Sequence, residues 1–252
     1  MKLAMARLAF VCTGLLFIGL LTGMIAKNGH AAVVGIWLLD EGKGKVAEDF
    51  SGNGHDGQLE GNPKWVEGKF GKALEFDGTN VVKIEHADAF DLTTFTLQAW
   101  IKLKKGGAWQ QIVIKSGNPR PFSLGVSPVD QIECAFRGKA GWINPRSTSA
   151  VVDSKWHHVA GTYDKKKMRI YVDGVLETER PSNENPPFNK IAVQIGGIVG
   201  ERIIGGIIDE VLIFDTALTE AEIKGWMEGA ATVEPSGKLA TTWGSVKGKH
   251  KR

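Results

Sequence analysis

The run FTLQAWIKL, Phe95 to Leu103, constrains this chain more than any other stretch. Phe95, Leu97, Ala99, Ile101 and Leu103 alternate with Thr96, Gln98, Trp100 and Lys102. Successive side chains of a strand point to opposite faces, so this pattern predicts a half-buried strand with the Phe95 series on a core. A helix of the same length would need apolar residues every three or four positions, and this run does not supply them.

Shorter strand patterns follow along the chain. VVGIWLLDEG supplies the first, and ALEFDGTNVVKI gives two strands around the turn pair Asp77-Gly78. QIVIKSG, FSLGVS and QIECAFRG give three more, and IAVQIGG and GGIIDEVLIFD the last two. The 32 Gly and 9 Pro residues punctuate them. Many short strands with turn signals between them predict an all-β sandwich or barrel. One segment reads as a helix, LTEAEIKGWMEG, with Thr219 as N-cap, Glu222 completing a capping box and Gly229 ending it.

The stretch WHHVAGTYDKKKMRIYVDG, Trp156 to Gly174, places two histidines side by side. On a regular strand His157 and His158 point to opposite faces, so they do not share a metal. Lys165, Lys166 and Lys167 form a solvated turn, and Asp173-Gly174 suits a type I′ turn. The segment reads as strand, turn, strand, turn.

The N-terminus is a targeting segment. Lys2 and Arg7 precede the uncharged apolar run Leu8 to Ile25, and small residues Gly29 and Ala31 fit cleavage after Ala31. Residues 1–31 are expected to be a secretory signal peptide, which places the mature protein outside the cell or in its envelope. The alternative is an uncleaved membrane anchor, because the run reaches spanning length. The net charge of +3 belongs to the two ends. Lys2, Arg7 and Lys27 lie in the leader, Lys238, Lys247, Lys249, Lys251 and Arg252 in the tail. Acids outnumber bases between them, so nucleic acid is not an expected partner. Residues 231–252 are expected to form a basic mobile tail. Once the leader and its Cys12 are removed, Cys134 stands alone, without an internal disulfide. It shares a strand face with Ile132 and Phe136, which predicts a core thiol.

WHHVAGTYD followed by YVDG resembles the central hairpin of LamG-like (laminin G-like, concanavalin A-like) domains. GIWLLDEGKGKVAEDFSGNGHDGQL, GKALEFDGTNVVKI, FTLQAWIK and GGIIDEVLIFDTALTEAEI resemble the family's other phrases. All appear in order over about 33–225. The resemblance implies one domain, residues 32–230, folded as a two-sheet antiparallel jelly-roll β-sandwich with its first and last strands adjacent. The short C-terminal helix is added to it. Members occur in exported and surface proteins, and many bind glycans or proteins.

The loop EDFSGNGHDG gathers the oxygen donors Asp49, Ser51, Asn53 and Asp56 among glycines, and calcium takes six to eight such ligands. It lacks EF-hand spacing. The resemblance implies a structural calcium held by Asp49 and Asn53 of this loop together with Asp209. The alternative is a solvated turn in which Asp49 and Asn53 cap their own backbone. One cysteine and scattered histidines argue against zinc.

Such a fold serves enzymes, glycan binders and adhesion modules. A glycosidase needs two carboxylates on one strand face, and no Glu-x-Asp-x-x-Glu strand motif is present. Glu177 and Glu179 have the spacing but sit at the end of a hairpin and read as surface charge. A nucleophile elbow and a phosphate-cradling Gly-Lys-Ser/Thr motif are also absent from the sequence. A glycan binder needs exposed aromatic platforms with polar neighbours. Trp109 and Trp142 fall in the Gly-rich loops KKGGAWQQ and RGKAGWINPR, with Gln110, Arg137, Asn144 and Arg146 nearby, and Trp100 lies on the polar face of its strand. Trp100, Trp109, Trp142 and Arg146 are the candidate glycan-binding residues. The alternative is that these tryptophans pack loops down. The expected function is noncatalytic recognition of a glycan or a cell-surface protein. An envelope adhesion module that binds protein is the second reading, and a membrane role follows only from an uncleaved leader.

Overall fold

The computed structural model describes residues 32–104, 106–198, 201 and 204–229. The leader 1–31 and the tail 231–252 lie outside the described residues. Among the described residues no helix is long and apolar enough to cross a membrane.

In chain order the strands begin with β1 (Val33–Trp37), β2 (Val46–Ala47), β3 (Gly57–Glu60), β4 (Lys64–Glu67), β5 (Lys72–Asp77) and β6 (Val81–Ile84). A single 3₁₀ turn at Asp88–Phe90 leads to β7 (Phe95–Leu103), β8 (Gln110–Lys115), β9 (Phe122–Val126), β10 (Gln131–Gly138), β11 (Gly141–Ile143) and β12 (Arg146–Ala150). Then come β13 (Trp156–Tyr163), β14 (Lys167–Val172), β15 (Val175–Pro181), β16 (Val193–Ile195), β17 (Gly205–Phe214) and helix α1 (Glu220–Met227).

These strands form two antiparallel sheets. One runs β15-β14-β13-β7-β17-β5-β4, with β1 also paired to β17, so the first and last strands are neighbours. The other runs β11-β10-β9-β8-β16-β6-β3-β2, with β12 against β10. A single apolar core lies between them and draws Leu97, Ile101, Val159 and Ile208 from the first sheet and Val82, Leu124, Cys134 and Val193 from the second. Cys134 is fully buried, as its strand face predicts.

Strand β7 departs from the half-buried expectation. The Phe95 series is buried, but so are Thr96, Gln98 and Trp100 on the other face. A second apolar cluster covers that face, built from Ile36, Tyr171, Leu212, Phe214, Leu218, Ile223 and Trp226. Helix α1 covers it, with the Trp226 ring tilted against Phe214 at 5.3 Å between centroids. The capping box forms as the sequence predicts, with Thr219 accepting the Glu222 amide. Thr96 anchors the approach to the helix, donating to the Thr216 carbonyl and accepting the Leu218 amide. The Thr96 hydroxyl is thus buried with its hydrogen bonds made.

Two further differences are local. The strands around Asp77-Gly78 do not pair with each other: β5 belongs to one sheet and β6 to the other. The Asp77 carboxylate gathers the Thr79 amide, the Thr79 hydroxyl and the Asn80 side-chain amide, and this turn sends the chain across the sandwich. On β17 a bulge falls between Asp209 and Leu212, with Glu210 at φ +46°. The bulge breaks the alternation, so Asp209 and Glu210 are both buried. The Asp173-Gly174 turn has both residues at positive φ, as type I′ requires.

Candidate functional site

The site grows from β10. Its residues Ile132, Cys134 and Phe136 point into the core, so Glu133 and Arg137 share the outer face of the second sheet. Register then decides their neighbours. Trp142 on β11 lies directly opposite Arg137, and Arg146 on β12 directly opposite Glu133. The segment before β9 runs alongside, with the Arg137 amide donating to the Arg120 carbonyl. The loop before β8 brings in Trp109, held where Asp130 accepts the Gly107 amide.

Trp109, Arg120, Glu133, Trp142 and Asn144 line one cleft of about 220 Å³. Trp142 is 40% exposed, a large value for an indole, and Trp109 is half-buried. The Arg146 guanidinium lies over the Trp109 ring at 5.0 Å, and the Arg120 and Arg137 guanidiniums over the Trp142 ring at 5.1 and 5.9 Å. Glu133 accepts from Arg146 Nε at 3.0 Å and Asn144 Nδ2 at 3.3 Å. Asn144 Oδ1 in turn accepts from Arg180. Burial raises the Glu133 pKa, and the hydrogen bond and charge of Arg146 oppose that rise. Among the described residues lining the cleft, Glu133 is the one carboxylate.

Of the four residues singled out in the sequence, the structure brings together Trp109, Trp142 and Arg146. Trp100 is a correction. It is 7% exposed, its Nε1 donates to the Met227 carbonyl, and its ring packs edge-on against His158 and Phe70 beneath Lys69. The C-terminal end of the helix and the loop at 69–70 cover the polar strand face it occupies, so it offers no platform. Sequence reasoning missed Arg120 and Glu133. Glu133 carried a signal, since it alternates with the core series of β10; Arg120 sits beside a proline with no periodicity to place it.

The residues expected to hold calcium, Asp49, Asn53 and Asp209, each bond to backbone groups. Asp49 accepts the amides of Ile36, Ser51 and His55, and the Asn53 side-chain amide donates to the Val33 and Val34 carbonyls. Asp49 and Asn53 thereby latch their loop onto β1, close to the capping alternative. Asp209 closes a different loop by accepting the Lys69 and Phe70 amides, and the acids that act on its charge are Glu210 and Asp40. The Asp49 carboxylate is thus directed at three N–H groups and the Asp209 carboxylate at two from another loop. The one group of three or more His, Cys, Asp or Glu side chains with converging ligand atoms, among the described residues, is His86, Asp88 and Asp91. The Lys115 ammonium is already bonded to His86 and Asp91 there.

The paired histidines behave as the strand pattern predicts. His158 is buried against Trp100, and burial lowers its pKa to about 4. His157 faces the other way, between Asp153 and Asp173. Glu177 accepts the Thr148 and Ser149 amides, and Glu179 pairs with Lys167 and Arg169, so both are structural ties.

No curated protein matches this sequence. Among solved structures, domain 4 of AbnA, an extracellular GH43 arabinanase from Geobacillus stearothermophilus solved with arabinotriose, is similar. It has 18% identity and a TM-score of 0.63, over 77% of this chain and 97% of that one. Botulinum neurotoxin type C, whose cell entry depends on two ganglioside molecules, aligns at 16% identity and TM-score 0.62, over 77% of this chain and 50% of the toxin chain. Trypanosoma rangeli sialidase in complex with the inhibitor DANA aligns at 18% and 0.57, over 75% of this chain and 32% of that one. At these identities the likeness shows the shared jelly-roll fold. A family model described as the concanavalin A-like lectin/glucanases superfamily matches residues 76–224. That match takes in more than half of the chain, from β5 through β17 into the helix that covers it, and the chain belongs to this superfamily.

Proposed function

We propose that the protein is a noncatalytic recognition module, exported to the cell envelope or beyond, that binds glycan in the cleft between Trp109 and Trp142. One observation carries this reading. Two indoles from separate Gly-rich loops converge on one cleft, with Asn144, Glu133 and Arg120 supplying hydrogen-bonding groups around them. An aromatic body with a few fixed polar groups is the chemistry that sugar recognition uses. The neighbours solved with arabinotriose or described with gangliosides support the same class of ligand.

Binding rather than cleavage is supported by the single carboxylate. Retaining hydrolysis uses two carboxylates about 5–5.5 Å apart and inversion a wider pair. Glu133 stands without a second carboxylate among the described lining residues and is engaged by Arg146 and Asn144. The test is a polysaccharide and glycan array read with the purified chain. Retention of one or more glycans, with no release of reducing sugar on incubation, is expected. Silence across the array from a folded sample shifts the assignment to a protein-binding adhesion module.

A further inference from the structure

We infer that the ligand of this cleft is an acidic glycan, one bearing carboxylate or sulfate groups along its chain; this rests on the cleft being the glycan site. The body of the protein has more acids than bases, yet the cleft reverses that balance. Arg120, Arg137 and Arg146 all direct guanidiniums over its two indoles, and Arg180 reaches its Asn144. Glu133, the one carboxylate among the described lining residues, pairs with Arg146 at 3.0 Å and also feels the charge of Arg120, so the three guanidiniums have one lining carboxylate among them. The acids of the flanking loops are turned to backbone: Asp130 to the Gly107 amide, Glu177 to Thr148 and Ser149, and Glu184 to Lys139.

Two physical consequences follow. Three guanidiniums around one lining carboxylate leave surplus positive charge in the cleft, which an arriving anion offsets. Guanidiniums are planar forks that match the two oxygens of a carboxylate or sulfate. The stacking arrangement matters as well. An indole face carrying a guanidinium is less available to the apolar face of a neutral sugar, but it holds that guanidinium in a fixed plane for an anion to meet. The tryptophans thus serve both as platforms and as supports for the arginines.

The experiment uses matched pairs of polymers with the full chain. Polygalacturonate is compared with its fully methyl-esterified form, and chondroitin sulfate with its desulfated form and with neutral dextran, each at 50 and 500 mM NaCl. Acidic members are expected to bind and neutral ones to bind at least tenfold more weakly, with affinity falling as salt rises. Preference between the carboxylated and sulfated pairs identifies which anion is used. Arg137→Gln and Arg146→Gln, both at exposed residues, are expected to lower affinity roughly tenfold each, the usual scale for losing one charge-assisted contact. Equal binding of acidic and neutral members, or salt-independent binding, overturns this inference and leaves glycan recognition standing. No binding to any polymer overturns both.

Discussion

Gly161 and Cys134 give the sharpest test of how the two sheets meet. Gly161 lies on β13 of one sheet, and Cys134 on β10 of the other. A β-carbon built on Gly161 would sit 2.5 Å from the Cys134 Sγ, 2.6 Å from its Cβ and 3.4 Å from Leu124 Cδ1. Such approaches are far inside van der Waals contact, and both strands are held by neighbours on either side. Overpacking a closed core by one methyl costs about 1–3 kcal/mol. Replacing a strand glycine by alanine returns roughly 0.5–1 kcal/mol by restricting the unfolded chain. Gly161→Ala should therefore destabilise by about 1–2 kcal/mol, which in a domain of this size lowers Tm by roughly 2–8 °C. A double-mutant cycle, read by thermal or urea unfolding, locates the cause. Cys134→Ala leaves its Cβ in place and relieves the clash only in part. Cys134→Gly empties the space, so adding Gly161→Ala to that background should be neutral or stabilising. An equal cost of Gly161→Ala in all three backgrounds would refute the face-to-face packing of these strands.

Three other outcomes are expected. Burial raises the Asp209 pKa to about 8, with Glu210 and Asp40 adding to it and the Lys69 and Phe70 amides opposing. The unfolded chain gives up this proton near pH 4 and the folded chain near pH 8, so its contribution to stability is lost as pH rises through that interval. At about 1.4 kcal/mol per unit the loss amounts to a few kcal/mol, and Asp209→Asn should flatten the urea midpoint between pH 5 and 8; a variant that keeps the wild-type slope contradicts this. Asp49→Ala strands the Ile36, Ser51 and His55 amides and should cost about 2–4 kcal/mol, whereas Tm should be the same in calcium and in EDTA. A calcium-dependent rise in Tm that Asp209→Asn abolishes would instead place an ion at Asp209. Burial also pushes the Cys134 thiol up, so a thiol reagent should label the native protein only at the rate of its unfolding; rapid labelling would show the core to be open there.

The sandwich was legible because strand alternation is a local property that tertiary packing mostly obeys. The Phe95 series and the opposed histidines follow from it, and the capping box at Thr219 is an equally local helix signal. Its failures mark places where distant chain decides. Nothing around Thr96, Gln98 and Trp100 reveals that a helix more than a hundred residues later will cover them. Asp77-Gly78 carries an ordinary turn signal, and only the partners of β5 and β6 send them to different sheets. The bulge at Glu210 breaks the alternation that would set Asp209 and Glu210 on opposite faces. The cleft was half visible. Trp109 and Trp142 stood out by their Gly-rich loops, but their convergence depends on strand register, as does the pairing of Glu133 with Arg146. Arg120 enters only through the path of the backbone beside Arg137.

Recognition of glycan between Trp109 and Trp142 is tested most directly by titrating the tightest array ligand into the wild-type chain and into Trp142→Ala, by calorimetry. Trp142 is exposed and outside the core, so the variant should unfold at the wild-type temperature. An affinity loss of at least tenfold, the scale of an aromatic contact at the centre of a site, is predicted. A folded Trp142→Ala variant that binds the glycan as tightly as the wild type would place recognition elsewhere on the molecule and contradict the assignment.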